Sequence, residues 1–274
     1  MKETIIEKSK NDKFKTYLTE FNSINEFYEY ICNTQLNEAF RSESYLSSRD
    51  NEERFSGTKS FEEATELFKH GCEDIAKELN KRVNANKNDI ATVKRTKTFY
   101  DVQGYQACVP LYLQGVPTNM ISKKQIVVKQ KVITLTKAIT YNGYVSKETI
   151  LEESVKALQL VKKIEAQGTR CNLNIIFSSE TNGRRIATKI RIKNATEKLN
   201  VSKLAFCMVH PSMLRRLLFR YIEVYPNTIK SFTHGYGLAT GNNNLKKLMG
   251  DNEYFIPTFI TNDINDINDL SNIK

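Results

Sequence analysis

The densest chemistry in this 274-residue sequence is cationic. Between Arg184 and Arg220, ten Lys and Arg residues face one acid, Glu197, which concentrates nearly all of the formal net charge of +10 in one stretch. A second run, Lys123 to Lys137, holds five lysines and no acid. Clustering on this scale creates a field that attracts polyanions. Within the first stretch, Arg215 and Arg216 are followed by Phe219 and Arg220. Guanidinium groups pair with phosphate in bidentate fashion and stack on bases, and an aromatic ring off the apolar stripe can stack as well. Lys189, Arg191 and Lys193 recur at every second position of a strand-like segment. Lys189, Arg191, Lys193, Arg215, Arg216 and Arg220 are therefore the candidate nucleic-acid-binding set, with DNA or RNA as partner. Two bland readings stand beside this one. A low-GC genome enriches lysine everywhere, although it does not explain the arginines. Phe219 can also pack beneath a loop while the arginines pair with acids such as Glu223.

Other chemistries lack their residues. No glycine-rich run leads into Lys-Ser/Thr, no GxGxxG follows a strand, and no GxSxG elbow is present. Gly235-Tyr236-Gly237 reads as a turn. Of the three histidines, His210 precedes Pro211 and reads as a structural, hydrogen-bonded imidazole. His70 suits a helix C-terminus, and His234 lies in a loop, the best place for a functional imidazole. The five cysteines, Cys32, Cys72, Cys108, Cys171 and Cys207, include no close pair of the kind zinc sites use, and their odd number and wide spacing argue against a disulfide framework. Reduced thiols in a cytoplasm are expected, with Cys171 and Cys207 as core residues. No metal or cofactor is expected, and an enzyme ranks behind two binding readings. Met1-Lys2-Glu3-Thr4 opens on charge, so no secretory leader is expected. Apolar runs fall far short of the roughly 20 residues that span a bilayer, so no membrane partner is expected.

The elements that must position these residues follow from local signals. Residues 1–22 are polar and are expected to fray. Ser23 with Glu26, and Ser60 with Glu63, form two capping boxes. The second opens a helix that Gly71 divides. Residues 42–58 read as loop, and 99–122 as short irregular connections that pack inward. From Ile126 the pattern becomes α/β. A strand runs from Ile126 to Leu135. A helix capped by Ser146 follows and is closed by Gly168, with an apolar stripe wide enough to lie on a sheet. A strand over residues 172–177 is apolar on both faces, and Asn182-Gly183 marks a tight hairpin. In the return strand Ile186, Thr188, Ile190 and Ile192 share one face, and Ala187, Lys189, Arg191 and Lys193 the other, which carries its cations into solvent. Val201–His210 and Ser212–Tyr225 read as helices. In the latter Leu214, Leu217, Leu218 and Tyr221 face inward, opposite Arg216, Arg220 and Glu223.

The run 201–223, with Leu204-Ala205-Phe206, His210-Pro211 and Leu214-Arg215-Arg216-Leu217, resembles a block of an uncharacterised family of tailed-bacteriophage proteins. Ser60–Ala64 with Gly71, Tyr100–Val102, Tyr112–Pro117 and Val145–Gly168 extend the resemblance. The central order of strand, long helix, strand, antiparallel strand and helix resembles a von Willebrand factor A domain. Such domains bind a metal through Asp-x-Ser-x-Ser after the first strand; the corresponding Thr136-Lys137-Ala138-Ile139-Thr140 lacks the carboxylate. The expected fold class is thus α/β, a mixed sheet with flanking helices and a von Willebrand factor A-like core without the metal motif. Its divisions are a flexible start (1–22), a helical and irregular region packed on the core (23–125), the α/β core (126–260) and a polar tail (261–274). The resemblance implies a phage protein in the bacterial host cytoplasm or virion and carries over no function. The expectation from the residues is a non-enzymatic protein that binds nucleic acid through the basic stretch Arg184–Arg220 or, alternatively, a protein-interaction or virion-assembly module of von Willebrand factor A type without metal, with phage proteins or itself as partner.

Overall fold

The computed structural model describes residues 1–8, 12–40, 53–85, 96–125, 131–143 and 145–258. The expected polar tail and residues 126–130 lie outside them. Strands are β1 (Lys2–Ile6), β2 (Lys15–Phe21), β3 (Thr96–Asp101), β4 (Gln106–Ala107), β5 (Met120–Gln125), β6 (Val132–Ala138), β7 (Arg170–Thr181), β8 (Arg184–Lys193), β9 (Leu238–Ala239) and β10 (Glu253–Ile256). Helices are α1 (Ile24–Asn33), α2 (Glu53–Ser56), α3 (Phe61–His70), α4 (Glu73–Ala85), α5 (Val109–Leu113), α6 (Lys147–Ala166), α7 (Val201–Val209), α8 (Phe219–Val224) and α9 (Asn242–Lys246). The class is α/β: a mixed sheet with helices against it.

Local signals place the helix ends. Ser23 accepts from the Glu26 amide and Ser60 from the Glu63 amide, while each glutamate reaches back to the amide before its serine. Gly71, at φ +86°, ends α3 before α4 begins. Asn182 and Gly183 take φ values of 43° and 73°, the left-handed pair a tight hairpin needs.

The main sheet runs β1-β2-β8-β7-β6-β10, with β9 on β7. β2 lies parallel to β8, β7 antiparallel to β8, and β6 parallel to both β7 and β10. One face carries Tyr17, Phe21, Ile133, Leu135, Leu173, Ile175, Phe177, Ile186 and Ile190 against apolar side chains of α1, α4, α6, α7 and α8. The other face has a smaller apolar patch, Leu18, Ala138, Ile176 and Ala187, beneath Leu245 and Leu248.

Three expectations need correction. The described part of the expected flexible start 1–22, residues 1–8 and 12–22, does not fray, because β1 and β2 extend the sheet and Tyr17, Leu18 and Phe21 are buried. The pairing that holds β2 is with β8, far along the chain. Residues 99–122 do not pack inward: they form the antiparallel sheet β3-β5-β4 with α5, and none is buried. The expected helix 212–225 contains a π-helical segment, Met213–Leu218. Its wider turn rotates the helix phase, so the inward and outward faces differ from those of a regular helix. No helix among the described residues is long and apolar enough to cross a membrane.

Candidate functional site

The six candidate cations do not form a solvent-facing surface. Lys189 is buried and pairs with Glu253 at 2.7 Å and Glu20 at 3.2 Å. Arg191 is half-buried, its Nε donating to Asn174 Oδ1 at 3.4 Å. A bulge opposite Leu173/Asn174 ends the alternation of β8 and turns Lys193 toward α6, where it pairs with Glu165 at 2.7 Å and is buried. Arg216 is fully buried and donates to the Thr58 carbonyl at 2.8 Å. Arg220 reaches Glu223 at 3.3 Å. Phe219 stacks on Tyr236, centroids 4.0 Å apart, so the bland reading of that ring holds. The physical reason is coverage: β10, α6 and the segment after Phe55 bring carboxylates and carbonyls onto cations that the sequence left facing outward.

At the place of the missing metal motif, Lys137 occupies the helix-covered face of β6. Its Nζ donates to Glu153 Oε2 at 2.6 Å and to the Pro257 carbonyl at 3.0 Å, and Tyr141 donates to the same Glu153 oxygen at 3.0 Å. Burial lowers the Lys137 pKa, partly offset by Glu153, and pushes the Tyr141 phenol well up. Among the described residues no His, Cys, Asp and Glu side chains cluster as a metal site.

Just beyond the carboxyl end of β6 opens a cleft of about 370 Å³. Ile139, Tyr141 and Gly143 come from the loop after β6, Lys147 and Ile150 from the first turns of α6, and Arg54, Gly57, His210 and Arg215 close the far side. Arg215 lies over the Phe55 ring and donates to the carbonyls of Phe55 and Gly143. Burial lowers its pKa. His210 stacks on Phe206 and accepts from the Ser212 amide at Nδ1, 3.2 Å. Burial, with Lys147 adding to it, takes its pKa down to about 4. The ring is neutral and its proton sits on Nε2. Gly57, at φ +81°, allows this closeness, since a Cβ there would lie 3.3 Å from the His210 Cε1.

The sheet β3-β5-β4 and α5 form an arm unlike the rest of the chain. From Lys97 to Lys123 no residue is buried. Tyr100, Val102, Tyr105, Val109, Tyr112 and Leu113 are each more than half exposed. The arm is nonetheless built closely: a Cβ on Gly104 would sit 2.3 Å from the Ile121 carbonyl, to which the Tyr105 amide donates. Lys123 Nζ lies 4.5 Å above the Tyr105 ring. In the sequence, Lys94 to Lys131 carries seven Lys and Arg residues and a single acid, Asp101. The Lys123 run had flagged part of this charge, but the tyrosines gave no signal, because exposure of an aromatic is decided by what fails to cover it.

A family model described as "Domain of unknown function (DUF7192)" matches residues 2–273. No curated protein and no solved structure matches the chain.

Proposed function

We propose, on the premise that the chain belongs to the DUF7192 family, that it is a non-enzymatic module that binds single-stranded nucleic acid through its arm, residues 96–125. The observation that carries this reading is the set Tyr100 on β3, Tyr105 in the turn before β4 and Tyr112 on α5, each more than half exposed, with Lys123 over the Tyr105 ring. Phosphates neutralise the cations and bases cover the rings, so one ligand satisfies both halves of the surface. Charge disfavours a second copy as partner, since it would bring one positive arm against another. The reading moves the polyanion contact away from Lys189, Arg191, Lys193, Arg215, Arg216 and Arg220, whose partners are internal.

The order β8-β7-β6-β10, with α6 between β6 and β7, supports a core derived from a von Willebrand factor A domain. The likeness of residues 201–223 to the tailed-phage block supports action in the cytoplasm of an infected bacterium. The aliphatic members of the arm, Val102, Val109 and Leu113, favour a second reading, docking onto an apolar groove of a phage protein.

Fluorescence anisotropy with a labelled oligothymidine tests the first reading. Binding should weaken steeply between about 50 and 200 mM salt, and a Y100A/Y105A double variant should lose about tenfold or more in affinity. No binding at low salt, or binding indifferent to the tyrosines, overturns it. A salt-resistant complex with a phage protein that Leu113→Asp abolishes would put the second reading in its place.

A further inference from the structure

We propose that the cleft beyond β6 binds a small molecule through a phosphate group, a site separate from the arm. The first argument is an uncompensated buried cation. Arg215 is only 9% exposed, and among the described residues its guanidinium meets carbonyl oxygens and the Phe55 ring but no carboxylate within ion-pair distance. A cation taken out of water without a counter-ion is costly, and an anion in the cleft removes that cost.

The second argument is an unused donor. His210 is also 9% exposed, its Nδ1 is occupied by the Ser212 amide, and the neutral ring offers Nε2–H, which has no hydrogen-bond partner among the described residues. The third is the position of α6. Lys147 is its first residue, and Ser146 caps the Thr149 amide, leaving the Lys147 and Glu148 amides without an intrahelical acceptor. A twenty-residue helix places its positive end there. Arg54 adds a cation at the rim, and among the described residues Glu53 is the one carboxylate of the lining.

Topology agrees with the chemistry. The chain leaves the carboxyl end of β6 and turns into the first residues of α6, so the cleft lies outside the carboxyl end of a strand that is parallel to both its neighbours. Open α/β sheets bind ligands outside the carboxyl ends of their strands. Guanidinium, ammonium, imidazole N–H and helix amides are together a donor set for a phosphate, whose oxygens accept from several directions.

The test is titration of the full chain with inorganic phosphate, and separately with a nucleoside monophosphate, by calorimetry at constant ionic strength with chloride as reference. Phosphate should bind where chloride does not. Lys147→Glu, an exposed first-turn change that leaves the core intact, should weaken it about tenfold or more, and His210→Gln should weaken it as well. Lys163→Glu, at the other end of α6, should leave it unchanged. Tighter binding of the nucleotide than of phosphate assigns the ligand to phosphorylated metabolites, and equal binding assigns it to free phosphate. Equal heats for phosphate and chloride, or phosphate binding that survives Lys147→Glu at full strength, overturns the proposal. Oligonucleotide binding by the arm is untouched by these variants, so the two readings fail separately.

Discussion

Lys137 donates to Glu153 across 2.6 Å with both side chains sealed from solvent, one on strand β6 and the other on the helix that covers it. Removing one partner strands the other as a buried charge. Lys137→Met should therefore destabilise the fold by about 3–5 kcal/mol, and the double change with Glu153→Leu should recover much of that loss. Chemical denaturation of the three proteins checks this, and a double variant no more stable than Lys137→Met would contradict it.

His210 makes stability depend on pH in a definite direction. Its folded pKa of about 4 lies below the ordinary value of 6.5, so between those limits the unfolded chain takes up a proton that the folded chain refuses. Stability is complete above pH 6.5 and falls as pH drops toward 4, by roughly 3 kcal/mol in all. His210→Gln should flatten that part of the profile, measured as melting temperature between pH 7 and 4.5 against wild type.

Lys189 distinguishes a structural cation from a binding one. Burial pushes the Glu253 carboxyl pKa up, but the Gly250 amide, Lys189 and Thr136 outweigh it and hold the group below the usual range. Lys189→Met removes the cation and should cost about 3 kcal/mol of stability. Oligothymidine affinity should stay within about twofold of wild type under conditions where the variant is folded. A large loss of affinity without a loss of stability would return the polyanion contact to β8.

Thiol reactivity should follow burial. Cys171 and Cys207 are buried, with burial the leading cause that raises both pKa values to about 12, whereas Cys32 is exposed. Iodoacetamide at neutral pH should label Cys32 in the native protein and spare Cys171 and Cys207 until denaturant is added. Peptide mass spectrometry reads the order.

Much of the architecture was legible because its signals are local. Ser60 and Gly71 bound α3, Ser146 and Gly168 bracket α6, and Asn182-Gly183 fixes the β7–β8 hairpin, each through the backbone within a few residues. One signal was present and went unread. Glu153 interrupts the apolar stripe of α6, and Lys137 interrupts the apolar face of β6; two opposite charges on facing apolar surfaces imply a buried pair.

The amino-acid order alone determined the α/β class, the long helix, the hairpin and the absence of familiar nucleotide-loop and hydrolase motifs, since each depends on neighbours in the chain. Only the tertiary structure decided which cations meet water. Lys189 is answered by Glu253, Lys193 by Glu165 and Arg216 by Thr58, all distant in sequence, while the tyrosines of the arm stay more than half exposed. Burial depends on what the rest of the chain brings to a position, and no window of residues contains that.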